Sequence, residues 1–190
     1  DMDGVTELFL HNGILQAVVR CDADAAIVEL DSYSLHHNFG DTLRRRQEHY
    51  YRKIQLGEQE HAQDGGIASA HDRVSFKHEV RSQDLESDSR PRALFLDRWV
   101  IGDEQHCPAY APASDQPEGP AAVFDGYCHR AEIRKHIAIA DNRLTVRYEI
   151  RAQADGRFET EINLAMPSCD GFLGRFVFEG AVPGGFGQPL

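Results

Sequence analysis

The sequence predicts a mainly β protein, an antiparallel β-sandwich with one short helix near residues 41–56. Three features carry that prediction. The stretches NRLTVRYEIRA and RFETEINLAM alternate apolar and polar side chains with period two, the pattern of strands with one face in a core and one in water. Turn-forming residues such as His11-Asn12-Gly13 and Asp141-Asn142 separate many short runs of this kind. Only one segment combines an N-cap with a run of good helix formers.

Val5 to Leu10 is the first apolar run, and His11-Asn12-Gly13 supplies the turn into the second, Ile14 to Arg20. Ala25 to Leu30 follows. The helical candidate, DTLRRRQEHYYRKI, starts with Asp41 or Thr42 as N-cap, although its apolar residues are too sparse for a strong face. A polar loop from Glu58 to Ser69 leads to runs from Arg73 to Val80 and from Ala93 to Ile101. Asp103 to Pro120 holds four of the chain's eight prolines and is expected to be an extended loop. Ala121 to Cys128 is again strand-like. Residues 131–166 are expected to form a three-stranded antiparallel meander, reversing at Asp141-Asn142 and at Asp155-Gly156. Gly174 to Glu179 completes a series of about ten strands. No internal repeat emerges, and 190 residues with 41% apolar side chains suit a single domain over 1–190.

Charge excludes several function classes. With 31 acidic against 20 basic side chains the formal net charge is −11, so the summed field repels a polyanion and nucleic acid is not an expected partner. No apolar run of about 18 residues is present, and DMDGVTELFL lacks the basic start and apolar core of a secretory signal, so no membrane partner is expected. The four cysteines, Cys21, Cys107, Cys128 and Cys169, have no CxxC spacing. They fit buried free thiols in a reducing compartment, and a cytoplasmic location is the corresponding expectation. The phosphate-cradle, dinucleotide, esterase-elbow and zincin motifs are all absent, so neither cofactor nor metal is expected.

One segment stands out against the acidic background. HNFGDTLRRRQEHYYRK packs Arg44, Arg45, Arg46, Tyr50 and Tyr51 into a basic, aromatic knot. Its tyrosines could stack on a sugar ring, its arginines could dock on an acidic surface, or the whole segment could be a solvated helix. In AHDRV, His71 and Asp72 form the imidazole and carboxylate couple that a general base requires, but strand neighbours point to opposite faces. A hydrogen-bond network in which Asp72 or Asp97 pairs with Arg92 or Arg98 is therefore expected.

Several motifs in order carry a family resemblance: GDTLRRRQEHYYRKI, GGIASAHDRVSFK, DSRPRALFLDRW, and EINLAMPSCDG with GGFGQPL. Together they resemble the C-terminal β-sandwich domain of glycoside hydrolase family 57 α-amylases and 4-α-glucanotransferases, over nearly the whole chain. The resemblance implies a galactose mutarotase-like supersandwich. It also implies an N-terminal catalytic barrel in the same polypeptide as the partner, with α-glucan oligosaccharide as a second, open contact. The family sandwich continues past GGFGQPL, so the sheet is expected to be cut short at the C-terminus. Catalytic carboxylates of the family lie in the barrel, so this segment is expected to be a non-catalytic accessory domain and its parent a glycoside hydrolase or glucanotransferase. The alternative is a stand-alone mutarotase-like sugar epimerase or carbohydrate-binding module. Candidate carbohydrate or interdomain contacts are Arg44, Arg45, Arg46, Tyr50, Tyr51, His71, Asp72, Arg92, Arg98 and Trp99.

Overall fold

The computed structural model describes residues 4–44, 46–47 and 85–166. The chain divides into two compact units, one of residues 1–42 with 93–190 and one of residues 43–92. Strand order within the first unit is β1 (Glu7–His11), β2 (Leu15–Arg20), β3 (Ile27–Ser32), β4 (His37–Asn38), β5 (Leu94–Ile101), β6 (Glu104–His106), β7 (Ala109–Pro112), β8 (Ala121–Cys128), β9 (Ala131–Ala140), β10 (Arg143–Ala152) and β11 (Arg157–Ile162).

Among the described residues these strands form two antiparallel sheets. The larger runs β1-β2-β3-β5-β11, with β4 on β3 and β6 on β5; the smaller runs β10-β9-β8-β7. Their apolar faces meet. Leu10, Ala17, Val19, Ile27, Leu94 and Trp99 from the larger sheet pack with Ala122, Phe124, Ile133, Ile137 and Ile139 from the smaller. Polar contacts pin the sandwich at its ends: the Tyr110 amide donates to the Ala23 carbonyl at 2.9 Å, and the Asn12 side chain donates to the Asp141 carbonyl at 2.7 Å. Asn12 also accepts the Ile14 and Leu15 amides, which closes the expected His11-Asn12-Gly13 turn.

Two expectations about the strands are corrected. The meander keeps only its first hairpin, β9–β10, which turns at Asp141 with a φ of 52°. Its third strand crosses to the larger sheet and pairs with β5, Thr160 opposite Asp97. Gly156 makes that crossing close, because a Cβ there would lie 2.5 Å from the Trp99 ring. Alternation in a strand fixes which face is buried, not which strand it pairs with. The supposed loop from Asp103 to Pro120 contains β6 and β7. Strand β7 is an edge, with buried Tyr110 as its anchor and Pro112 at its end, where a missing N–H breaks no ladder bond.

Residues 41–44 and 46–47, the described part of the expected helix, are not helical; a segment with so thin an apolar face has little to bury as a helix. The remainder of that segment, and the expected Glu58–Ser69 loop and the runs Arg73–Val80 and Gly174–Glu179, lie outside the described residues.

Strand β5 carries the irregularity that shapes the interior. Glu161 pairs with Leu96 but Ile162 pairs with Leu94, so Phe95 is the extra residue of a bulge, with a φ of 62°. A bulky residue in the left-handed region costs about 1–3 kcal/mol. The bulge lets Leu94 and Asp97, three positions apart, both face the main core, while Leu96 joins a separate cluster with Ala26 and Ala93.

Candidate functional site

The inward row of β9 reads Ala131, Ile133, Lys135, Ile137, Ile139, a cation among aliphatic side chains. Lys135 is 0% exposed, and the carboxylate facing it from the other sheet, Asp97, is 2% exposed. The Lys135 ammonium donates to Asp97 Oδ2 at 3.0 Å and to the Phe95 carbonyl at 2.7 Å, so the bulge supplies an acceptor. Tyr110 donates to the same Asp97 oxygen at 2.9 Å, and Tyr148 to the other at 2.8 Å. Register places these groups: Tyr148 is the β10 partner of Lys135, and Tyr110 of β7 lies opposite Gly126 of β8. A Cβ at Gly126 would come within 2.5 Å of the Tyr110 ring.

Lys135 Nζ also lies 5.2 and 5.7 Å from the Tyr110 and Tyr148 ring centroids, within cation–π range. Burial, the Asp97 charge and the hydrogen bonds to it push both tyrosines well above their ordinary value. Burial pulls Lys135 below its ordinary value, and the Asp97 carboxylate opposes that shift. Asp97 thus accepts three hydrogen bonds in a closed interior. This ties the sheets together and leaves no lone reactive group there.

The open site lies on the opposite face of the smaller sheet. A groove of about 500 Å³ is lined by Ala109, Asp125, Gly126, Tyr127, Glu132, Ile133, Arg134, Glu149 and Arg151. Arg134 bridges Asp115 and Asp125, and its guanidinium holds the Asp115 carboxyl below its ordinary value. Among the described residues, no cluster of three or more His, Cys, Asp or Glu side chains could hold a metal ion. Burial pushes the Cys21 and Cys128 thiols up, which keeps them from acting as thiolate nucleophiles at neutral pH.

The candidates named from sequence do not converge in either place. Arg98, on β5, pairs with Glu161 at 2.9 Å and Glu159 at 3.8 Å. Trp99 is a core side chain, 5% exposed. In the 43–92 unit, Arg92 forks onto both Asp88 carboxylate oxygens at 3.0 and 3.2 Å, and Arg44 donates to the Asp88 carbonyl at 3.3 Å. Arg46 is exposed. Arg45, Tyr50, Tyr51, His71 and Asp72 lie outside the described residues. The expected pairing of Asp97 with Arg92 or Arg98 is corrected: after the bulge Asp97 points inward and Arg98 outward, so Asp97 takes Lys135 instead. Sequence reasoning missed Lys135, Tyr110 and Tyr148 as the partners of Asp97. The available signal was Lys135 itself, out of place in an aliphatic row of period two.

Comparison with known proteins places this sandwich. All of residues 1–190 match the family described as alpha-amylase/4-alpha-glucanotransferase, C-terminal. The chain belongs to that family. A 4-alpha-glucanotransferase of Thermococcus kodakarensis is 29% identical over 88% of this chain, and an alpha-amylase of Pyrococcus abyssi is 25% identical over the same share. The chain spans 28% of the length of each of these relatives. The crystal structure of the 4-alpha-glucanotransferase from Thermococcus litoralis shares the fold, with a TM-score of 0.62 and 20% identity over 87% of this chain and 27% of that one. As a member of the C-terminal domain family, this chain corresponds to a segment of longer enzymes, and a catalytic domain in the same polypeptide fits that arrangement.

Proposed function

We propose that the chain is a non-catalytic accessory domain of a cytoplasmic α-glucan-processing enzyme, packing against and positioning a catalytic barrel in the same polypeptide. The observation that carries this is the full-length match to a C-terminal domain family by a chain that spans 28% of its relatives' length. It favours an accessory role over a stand-alone mutarotase-like epimerase. The interior agrees, since its buried carboxylate is committed to Lys135 and two tyrosines. We assign the parent enzyme to glycoside hydrolase family 57, and its barrel as the docking partner of the basic segment in which Arg44 and Arg46 are exposed. Oligosaccharide contact belongs to the outer groove.

Incubation with maltoheptaose, followed by chromatography of the products, tests the reading. The 190-residue chain should yield no new sugars, whereas the polypeptide extended to its full reading frame should yield shorter or longer glucans. New sugars from the chain alone, abolished by replacing one of its carboxylates, would sink the proposal.

A further inference from the structure

On the outer face of the smaller sheet, strand register arranges six side chains as a grid. Tyr127, Glu132 and Arg151 are neighbours across β8, β9 and β10, and Asp125, Arg134 and Glu149 form the adjacent row. Two-residue spacing along each strand keeps both rows on one face. The rows differ in what they already bind. In the Asp125 row every charge is engaged: Arg134 with Asp125 and Asp115, and Glu149 with Arg147 at 2.9 Å. In the Tyr127 row, Glu132 and Arg151 have no bonding partner among the described residues. Tyr127 is 58% exposed, and its hydroxyl accepts the Arg130 amide at 3.3 Å, which pins its orientation.

We propose that the Tyr127 row is a carbohydrate subsite that holds a segment of neutral α-glucan away from the catalytic centre. The pyranose C–H face rests on the Tyr127 ring, Glu132 accepts hydrogen bonds from sugar hydroxyls, and Arg151 donates to sugar oxygens. The Arg134 row behind it fixes the wall. Three carboxylates against two guanidiniums in the grid disfavour a phosphate or polyanion. An extended peptide would add to a free strand edge and not lie across the face. The groove volume of about 500 Å³ falls in the range of small-molecule sites. The geometry points to a neutral polyol; the α-glucan identity rests on the accessory-domain reading above.

Calorimetric titration and saturation-transfer NMR with maltoheptaose test the subsite, with cellohexaose as the β-linked control. Maltoheptaose should bind, with its ring protons saturated from the tyrosine ring. Tyr127→Ala should weaken binding by about tenfold or more, Tyr127→Phe should retain most of it, and Glu132→Gln should weaken it severalfold. Tyr33→Ala, at another exposed tyrosine, should leave it unchanged. No binding, equal binding by Tyr127→Ala with an unchanged melting temperature, or equal affinity for cellohexaose would overturn the proposal. Absence of binding alongside product formation only by the extended polypeptide would sink the subsite and leave the accessory role standing. Product formation by the chain alone would sink the accessory role, while the binding result would still decide the subsite.

Discussion

Replacing Asp97 with alanine should lower the stability of the sandwich by about 3–5 kcal/mol, the cost of breaking a buried ion pair from one side. The loss is large because three donors depend on one carboxylate. Without it, the fully buried Lys135 ammonium keeps only the Phe95 carbonyl, and the Tyr110 and Tyr148 hydroxyls lose their 2.9 and 2.8 Å acceptors. Apolar replacement of both charges, Asp97→Leu with Lys135→Met, should recover part of the loss, since no uncompensated charge then remains. Recovery should be incomplete, because the Tyr110 hydroxyl and the Phe95 carbonyl still want partners, while Tyr148 keeps Thr160 Oγ1 at 3.4 Å. Urea titrations of the two singles and the double close the cycle. A loss below about 1 kcal/mol for Asp97→Ala would mean that the cluster contributes no more than a surface pair.

The second large effect concerns the centre of the smaller sheet. Ile137 is 0% exposed on β9, with Ala122 and Val146 as its cross-strand neighbours. Ile137→Asp places an unpaired carboxylate in an apolar site, which costs several kcal/mol or forces its protonation, and should abolish folding at neutral pH. Val146→Asp should cost less, because β10 is an edge strand and Val146 is only partly buried. Arg147→Asp should cost least: it faces outward and loses a surface pair with Glu149. The order Ile137, Val146, Arg147 in denaturant midpoints checks the facing of both strands. Equal losses at all three would mean that the sheet is not layered in this way.

These comparisons show where local pattern suffices. Period-two alternation located Ala121–Cys128 and placed the 131–140 and 143–152 strands, because a strand half in water writes its facing into its own residues. It could not show that 157–162 leaves the hairpin for β5, since pairing depends on contacts such as Gly156 with Trp99, far apart in sequence. Strand β5 was harder still. A bulge at Phe95 reverses the parity that alternation relies on, so the run of residues does not reveal that Asp97 faces inward, where it meets Lys135. The groove was invisible for a similar reason. Tyr127, Glu132 and Arg151 come from three strands and share a row only through register.

The central structural claim is that the charged interior is a closed lock between the sheets and not a reactive site. Tyrosine ionisation tests it most directly. In the folded chain Tyr110 and Tyr148 are pushed well above the ordinary value of 10. Their contribution to stability is therefore fully present below pH 10, the unfolded value, and is lost as pH rises through the folded one. Lys135, pulled below 10.5, acts in the opposite sense: the unfolded chain holds that proton more readily, so its contribution rises with pH up to 10.5. Tyrosinate absorbance and circular dichroism should be followed together from neutral to strongly alkaline pH. At least two of the six tyrosines should keep their protons above pH 10 while the sheet signal persists, and ionise only as it collapses. Ionisation of all six near pH 10 with the sheet signal intact would contradict the lock.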